Sequence, residues 1–192
     1  MTKERVTERA KALVREYVGK GDVVVDATVG NGYDTVFLAE LVGVRSRTGS
    51  IAGKVIGFDV QEAAIVSASK RVPEGLRGIV DLHLVGHEEM GRVVTGPVRA
   101  VMFNLGYLPG GDHGFVTEPG TTVAGLEAAL GVLGPGGLVT VVVYPGHEGG
   151  AEEAVAVEEW VGGLGGEGKV LVNERGGGGE GVPYLVAVEL IG

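Results

Sequence analysis

The sequence predicts an α/β fold, a doubly wound and mostly parallel seven-stranded sheet of Rossmann-like type closed by an antiparallel hairpin. Three observations predict the class. Short β-branched runs recur along the chain, mostly separated by segments with helical patterning, which is βαβ alternation. Those runs are nearly continuous in apolar residues, as strands covered by helices on both faces must be. A Gly-x-Gly turn directly follows the first run, where an open parallel sheet receives ligands beyond the carboxyl ends of its strands. With 192 residues and 44% hydrophobic content, the chain can bury one substantial core, so residues 1–192 read as one domain.

The elements follow in order. Val6, Ala10, Leu13, Val14, Tyr17 and Val18 fall at helical spacing and stop at Gly19-Lys20-Gly21, an amphipathic helix. Strands are expected at residues 23–27, 54–59, 80–85, 98–104 and 138–144. Residues 44–53 read as an insertion in loop form. Between the last two of these strands, Val123, Leu126, Leu130 and Leu133 share a helical face, with Gly134-Pro135-Gly136-Gly137 as the stop. Val157, Trp160, Val161 and Leu164 mark another helix. Residues 169–174 and 184–190 then read as a terminal hairpin joined by the glycine-rich stretch 176–181. No helix start follows those glycines, which argues against a phosphate loop.

Composition narrows the chemistry. The absence of cysteine excludes disulfides, thiolate nucleophiles and Cys-type zinc sites, and fits a reducing compartment. No apolar run approaches the roughly 18 residues of a membrane span, and Met1-Thr2-Lys3-Glu4-Arg5 lacks a signal peptide's apolar stretch. A cytoplasmic protein with no membrane partner is expected. The net charge of -9 argues against indiscriminate nucleic-acid binding, which Lys and Arg drive by displacing counterions. Nine of the 16 Lys and Arg lie in residues 1–54 and none lies between Arg99 and Lys169, so any RNA contact should favour the N-terminal third. Arg5, Arg9, Lys11 and Arg15 on the first helix, and Arg45, Arg47 and Lys54 around the insertion, are the candidates, beside the simpler reading of a solvated face.

The strongest local signal is Asp26-Ala27-Thr28-Val29-Gly30-Asn31-Gly32-Tyr33-Asp34-Thr35, a strand entering a tight Gly-x-Gly turn and then a helix. Its glycines admit a nucleotide-like cofactor to the backbone. The next strand ends in Asp59-Val60-Gln61, where a carboxylate can accept both ribose hydroxyls. A dinucleotide motif would need a third glycine where Thr35 stands and an earlier acid than Asp59, so hydride transfer is the weaker reading. His87 or Glu88, just past the third strand, could meet the adenine edge, although such a His can also serve a loop carbonyl. His83, inside that strand, reads as structural.

After the fourth strand, Phe103-Asn104-Leu105-Gly106-Tyr107-Leu108-Pro109-Gly110-Gly111-Asp112-His113 concentrates polar and turn-forming residues where a second substrate would enter. If the reaction is methyl transfer to nitrogen, Asn104 and nearby carbonyls could hold the protons of a neutral amine and aim its lone pair. Tyr107 could stack on a flipped-out base, and Asp112 or His113 could contact the amine or collect its proton. The same segment also reads as a wide turn with Asn and Asp bonding their own backbone. Asp112-His113 and His147-Glu148 match no compact metal spacing, so no metal is expected, and His147 reads as lining the mouth after the fifth strand.

Together with Tyr144-Pro145-Gly146-His147-Glu148-Gly149-Gly150, these strings resemble the small stand-alone methylases called YtqB or MnmM over nearly the whole chain. That family was first filed as rRNA methylases and is associated with the final methylation of 5-aminomethyl-2-thiouridine at the tRNA wobble position. The resemblance implies a seven-stranded sheet with its last strand antiparallel, S-adenosylmethionine as methyl donor, tRNA as substrate and a homodimer. It implies a cofactor site including Asp26, Thr28, Gly30, Asn31, Gly32, Asp59, Gln61, His87 and Glu88. Asn104, Tyr107, Asp112 and His113 would face the acceptor as catalytic residues. The same donor chemistry on rRNA or a small molecule is the alternative, followed by a non-catalytic cofactor-binding module.

Overall fold

The computed structural model describes residues 3–45, 49, 51–106, 117–175, 179 and 181–192, with side chains from Val6 onward. Helix α1 (Lys3–Tyr17) places Val6, Ala10 and Val14 on one stripe, each essentially removed from solvent. It ends where Gly19 donates its N–H to the Asp22 carboxylate at 2.8 Å and Gly21 turns the chain with φ 91. Strand β1 (Val23–Asp26) leads through the glycine turn into α2 (Tyr33–Val42). The expected loop insertion instead carries a small antiparallel ribbon, β2 (Val44–Arg45) against β3 (Ile51–Ala52).

Strand β4 (Lys54–Phe58) is followed by α3 (Glu62–Arg71), a 3-10 turn at Glu74–Ile79 and β5 (Val80–His83). This edge strand is two residues shorter than expected because β4, its ladder partner among the described residues, ends first, Phe58 pairing with His83. Leu84 and Val85 leave the sheet and are exposed. A 3-10 turn at His87–Glu89 and the short α4 (Met90–Val93) lead to β6 (Val98–Asn104).

Helix α5 (Pro119–Val132) opens with a proline, whose missing N–H is harmless in a first turn. Strand β7 (Leu133–Val143) starts five residues earlier than expected. The Gly134–Gly137 stretch, read as a helix stop, lies within it as a bulge: Val98 pairs with Leu133, and Ala100 pairs next with Leu138. A side chain at Gly137 would meet Leu133 Cδ2 at 2.7 Å and Gly134 O at 2.8 Å, so the bulge itself requires glycine there. Helix α6 (Gly150–Gly163), β8 (Gly168–Asn173) and β9 (Tyr184–Leu190) complete the chain.

The large sheet has seven strands in the order β5-β4-β1-β6-β7-β9-β8. Neighbours run parallel except at β9, which is antiparallel to both β7 and β8, as the terminal hairpin requires. Alternate residues feed two cores. Val25, Phe58, Val101, Phe103 and Val141 pack toward Met90, Leu126 and Val157. Val24, Val55, Ala100, Met102 and Leu138 pack toward Val6, Val14, Leu38 and Val42. Strand order reverses between β1 and β6, where an α/β sheet opens a crevice at its carboxyl edge.

Candidate functional site

A cavity of about 720 Å³ occupies that crevice. At one end, Asp59 fastens the glycine turn to the end of β4. Its Oδ2 accepts the Gly30 N–H at 2.8 Å and its Oδ1 accepts the Gln61 N–H at 2.9 Å. Each oxygen retains capacity to accept a further hydrogen bond. Gly30 itself has φ 51 and lines the cavity with Thr28, Asn31 and Gln61. His87 and Glu88 line the same wall. His87 is buried edge-on against Phe103, with ring centroids 5.4 Å apart, and a side chain at Gly125 would run into its ring. Burial pushes the imidazole pKa down against the opposing pull of the Glu88 charge, so it is neutral at physiological pH.

At the other end stand Asn104, Asp34 and Lys11. Asn104 donates its backbone N–H to Thr28 Oγ1 at 2.7 Å and its Nδ2 to Asp34 Oδ2 at 3.4 Å. Lys11 Nζ pairs with Asp34 Oδ1 at 3.0 Å. Both members of that pair are largely shielded, with side-chain exposures of 15% and 12%. Thr7 and Lys11, one helical turn apart on α1, close this wall. Thr117, Glu118 and Thr121 at the start of α5 line the remaining side, where Gly106 N–H is held by Thr117 Oγ1 at 2.8 Å.

Two residues expected at the cofactor do not line the cavity. Asp26 is buried beneath it, accepting Thr35 Oγ1 at 2.5 Å and the Thr28 N–H at 3.3 Å. Burial, then the nearby Asp34 charge, push its carboxyl up to about 7. Gly32 caps α2 with φ 80, and a Cβ there would meet Ala68 Cα at 2.6 Å, so this glycine serves helix packing against α3. The structure brings Thr28, Gly30, Asn31, Asp59, Gln61, His87, Glu88 and Asn104 onto one cavity. Tyr107, Asp112 and His113 lie outside the described residues.

His147 stands behind Gly106, its Nε2 3.4 Å from where a Cβ there would be, and is not part of the described cavity wall. His83 stacks on Phe58 at 5.6 Å and pairs with Asp81, a structural arrangement. Sequence reading did not assign a role to Asp34, although it stands in the glycine-turn string, and it assigned Lys11 to an outward basic face. The available signal was the helical spacing of Lys11 from Thr7 and from buried Val14. Of the other cations considered, Arg9 pairs with Glu174, Arg15 lies 4.8 Å over the Phe37 ring, and Lys54 pairs with Asp81.

Residues 55–187 match the family described as "Putative rRNA methylase". A tRNA (mnm5s2U34)-methyltransferase, chloroplastic, of Arabidopsis thaliana is 41% identical over 168 residues, 84% of this chain; the chain spans 61% of that relative's length. Among solved structures, a protein from Clostridium thermocellum described as a "putative rRNA-methylase" is 40% identical with a TM-score of 0.88, over 96% of this chain and 97% of that one. A protein from Streptococcus mutans described as "a putative methyltransferase", in complex with SAH, is 33% identical with a TM-score of 0.82, over the whole of both chains.

Proposed function

The chain belongs to the rRNA methylase family, and from that premise we propose that it is an S-adenosylmethionine-dependent methyltransferase. Its acceptor in this reading is the exocyclic amine of 5-aminomethyl-2-thiouridine at the tRNA wobble position, whose methylated form, mnm5s2U34, stands in the Arabidopsis relative's name. One observation carries the reading: a single cavity has a glycine-turn carboxylate, Asp59, at one end and an amide-carboxylate pair, Asn104 and Asp34, at the other.

The residues present fit the cofactor. About 720 Å³ lies within the usual range of ligand pockets, roughly 300 to 1,000 Å³. Asp59 offers acceptors for ribose hydroxyls, the Gly30 turn lets a ligand approach the backbone, and neutral His87 with Glu88 supplies the wall for an adenine edge. The bound cofactor supplies an electrophilic methyl on a sulfonium. Asn104, having given its Nδ2 to Asp34, presents Oδ1 to an amine N–H. Asp34, oriented by Lys11, accepts a second N–H and is placed to take the proton that nitrogen loses as its bond to carbon forms. The reaction discharges a cation on sulfur, so positioning matters more than an oxyanion hole.

Net charge -9 favours one alternative, a small phosphate-free acceptor at the same site. A cytoplasmic homodimer belongs to the main proposal, with sedimentation as its check. The test is calorimetric titration with S-adenosylhomocysteine, followed by turnover on substrate tRNA and on the free nucleoside. The reading expects binding that Asp59→Ala weakens at least about tenfold, and turnover on tRNA. No binding refutes the donor, and preference for the free nucleoside refutes the acceptor.

A further inference from the structure

We propose that Tyr33 and Arg71 form a stacking platform at the cavity mouth that holds a nucleobase next to the reacting nucleotide of a single-stranded RNA loop, with Arg71 taking the adjoining phosphate. The inference rests on the RNA reading above. Tyr33 lines the cavity yet is 62% exposed, so its ring is accessible to a stacking partner. The Arg71 guanidinium lies 3.8 Å from its ring centroid. Arg71 is itself fixed, donating Nε to Asn31 O at 2.7 Å, while Asn31 accepts Ser67 Oγ at 3.2 Å. The ring is therefore pre-set by the same turn that lines the cavity, and a base stacking on it loses little conformational freedom.

Charge selects a nucleic acid. The cation inside the cavity wall, Lys11, is neutralised by Asp34 and Glu8, and Arg9 by Glu174. Among the described residues no acid forms an ion pair with Arg71, and Lys70 adjoins it in the last turn of α3. In an acidic chain, this places an aromatic face and uncompensated positive charge together at the substrate entrance. That combination binds single-stranded nucleic acid, by base stacking and by contact with phosphate. Val60, 58% exposed on the adjacent loop and also lining the cavity, extends the apolar rim.

The test is tRNA binding by the full-length protein saturated with S-adenosylhomocysteine, followed by fluorescence anisotropy, with cofactor affinity measured separately by calorimetry. Tyr33→Leu is expected to weaken tRNA binding about tenfold, and Tyr33→Phe, which keeps the ring, to bind as the parent does. Arg71→Gln is expected to weaken binding and to reduce the salt slope by about one. Cofactor affinity should stay within about twofold in all three, because Tyr33 is 62% exposed and Arg71 is not among the residues that line the cavity. Unchanged tRNA affinity in Tyr33→Leu overturns the platform, as does a parallel loss of cofactor affinity, which would make Tyr33 part of the cofactor pocket. A parent protein that binds cofactor but neither binds nor methylates tRNA overturns the RNA reading itself, and the platform with it.

Discussion

Lys11, Asp34 and Asn104 come from three separate elements and meet at one carboxylate, so each can be tested through the others. Asp34→Asn keeps the shape but removes the proposed proton acceptor; turnover is expected to fall by roughly 10²-fold or more, with cofactor affinity little changed. Lys11→Met should lower turnover less, since it loosens Asp34 without removing it. Asp26 and His87 make opposing pH predictions. Asp26 has its pKa raised to about 7 in the folded state, so its favourable contribution is complete below the unfolded value and is lost as pH rises through about 7. His87 is depressed below 6.5, so the unfolded state takes its proton more readily and stability is lost as pH falls below that value. Asp26→Asn should therefore melt higher than the parent at pH 8 and lose more stability on acidification to pH 5, read by thermal denaturation. The place of Asp59 on the cavity wall was legible in the sequence because an acid ending the second expected strand lies beside the glycine turn. Asp34 was not, because spacing does not reveal that a lysine on the first helix and an amide 70 residues away share its oxygens.

Among the elements, the same glycine-rich signal served two ends. At Gly32, the left-handed φ and the contact with Ala68 fix the approach of α2 to α3, so Gly32→Ala is expected to cost about 1 to 3 kcal/mol. It would disturb the cavity only through the displaced turn. At 134–137, the stretch that should have ended a helix became a bulge inside β7, because pairing of Leu133 with Val98 begins the strand as soon as the helix stops. Periodicity located both elements but could not place their junction, which a partner strand sets. Further along β7, Thr140 is fully buried with no hydrogen-bond partner for its hydroxyl among the described residues. Thr140→Val removes an unsatisfied group at nearly constant volume and should stabilise the fold by about 1 kcal/mol, seen as a higher denaturant midpoint with an unchanged slope.

For the whole molecule, strand class and direction were legible because buried parallel strands must be apolar throughout and the terminal hairpin must return antiparallel. The strand order was not, because βαβ alternation alone does not say where the winding reverses; the order β5-β4-β1-β6-β7-β9-β8 comes from the structure. The distribution of charge is a property of the entire chain. With net charge -9 and several cations tied in ion pairs, few phosphates can be neutralised. Its binding to tRNA should accordingly depend only shallowly on salt, with a log-log slope of roughly -2 to -3; a slope several times steeper would show a basic surface that the described residues do not provide. Among those residues no helix is long and apolar enough to cross a membrane. The most direct measurement of the central claim is mass spectrometry of nucleosides from tRNA bearing 5-aminomethyl-2-thiouridine, incubated with the protein and S-adenosylmethionine. The account predicts conversion of that nucleoside to a form heavier by one methyl on its exocyclic amine, lost in Asp34→Asn. An unchanged nucleoside in the presence of protein that binds the cofactor, or a methyl found on any other atom, would contradict it.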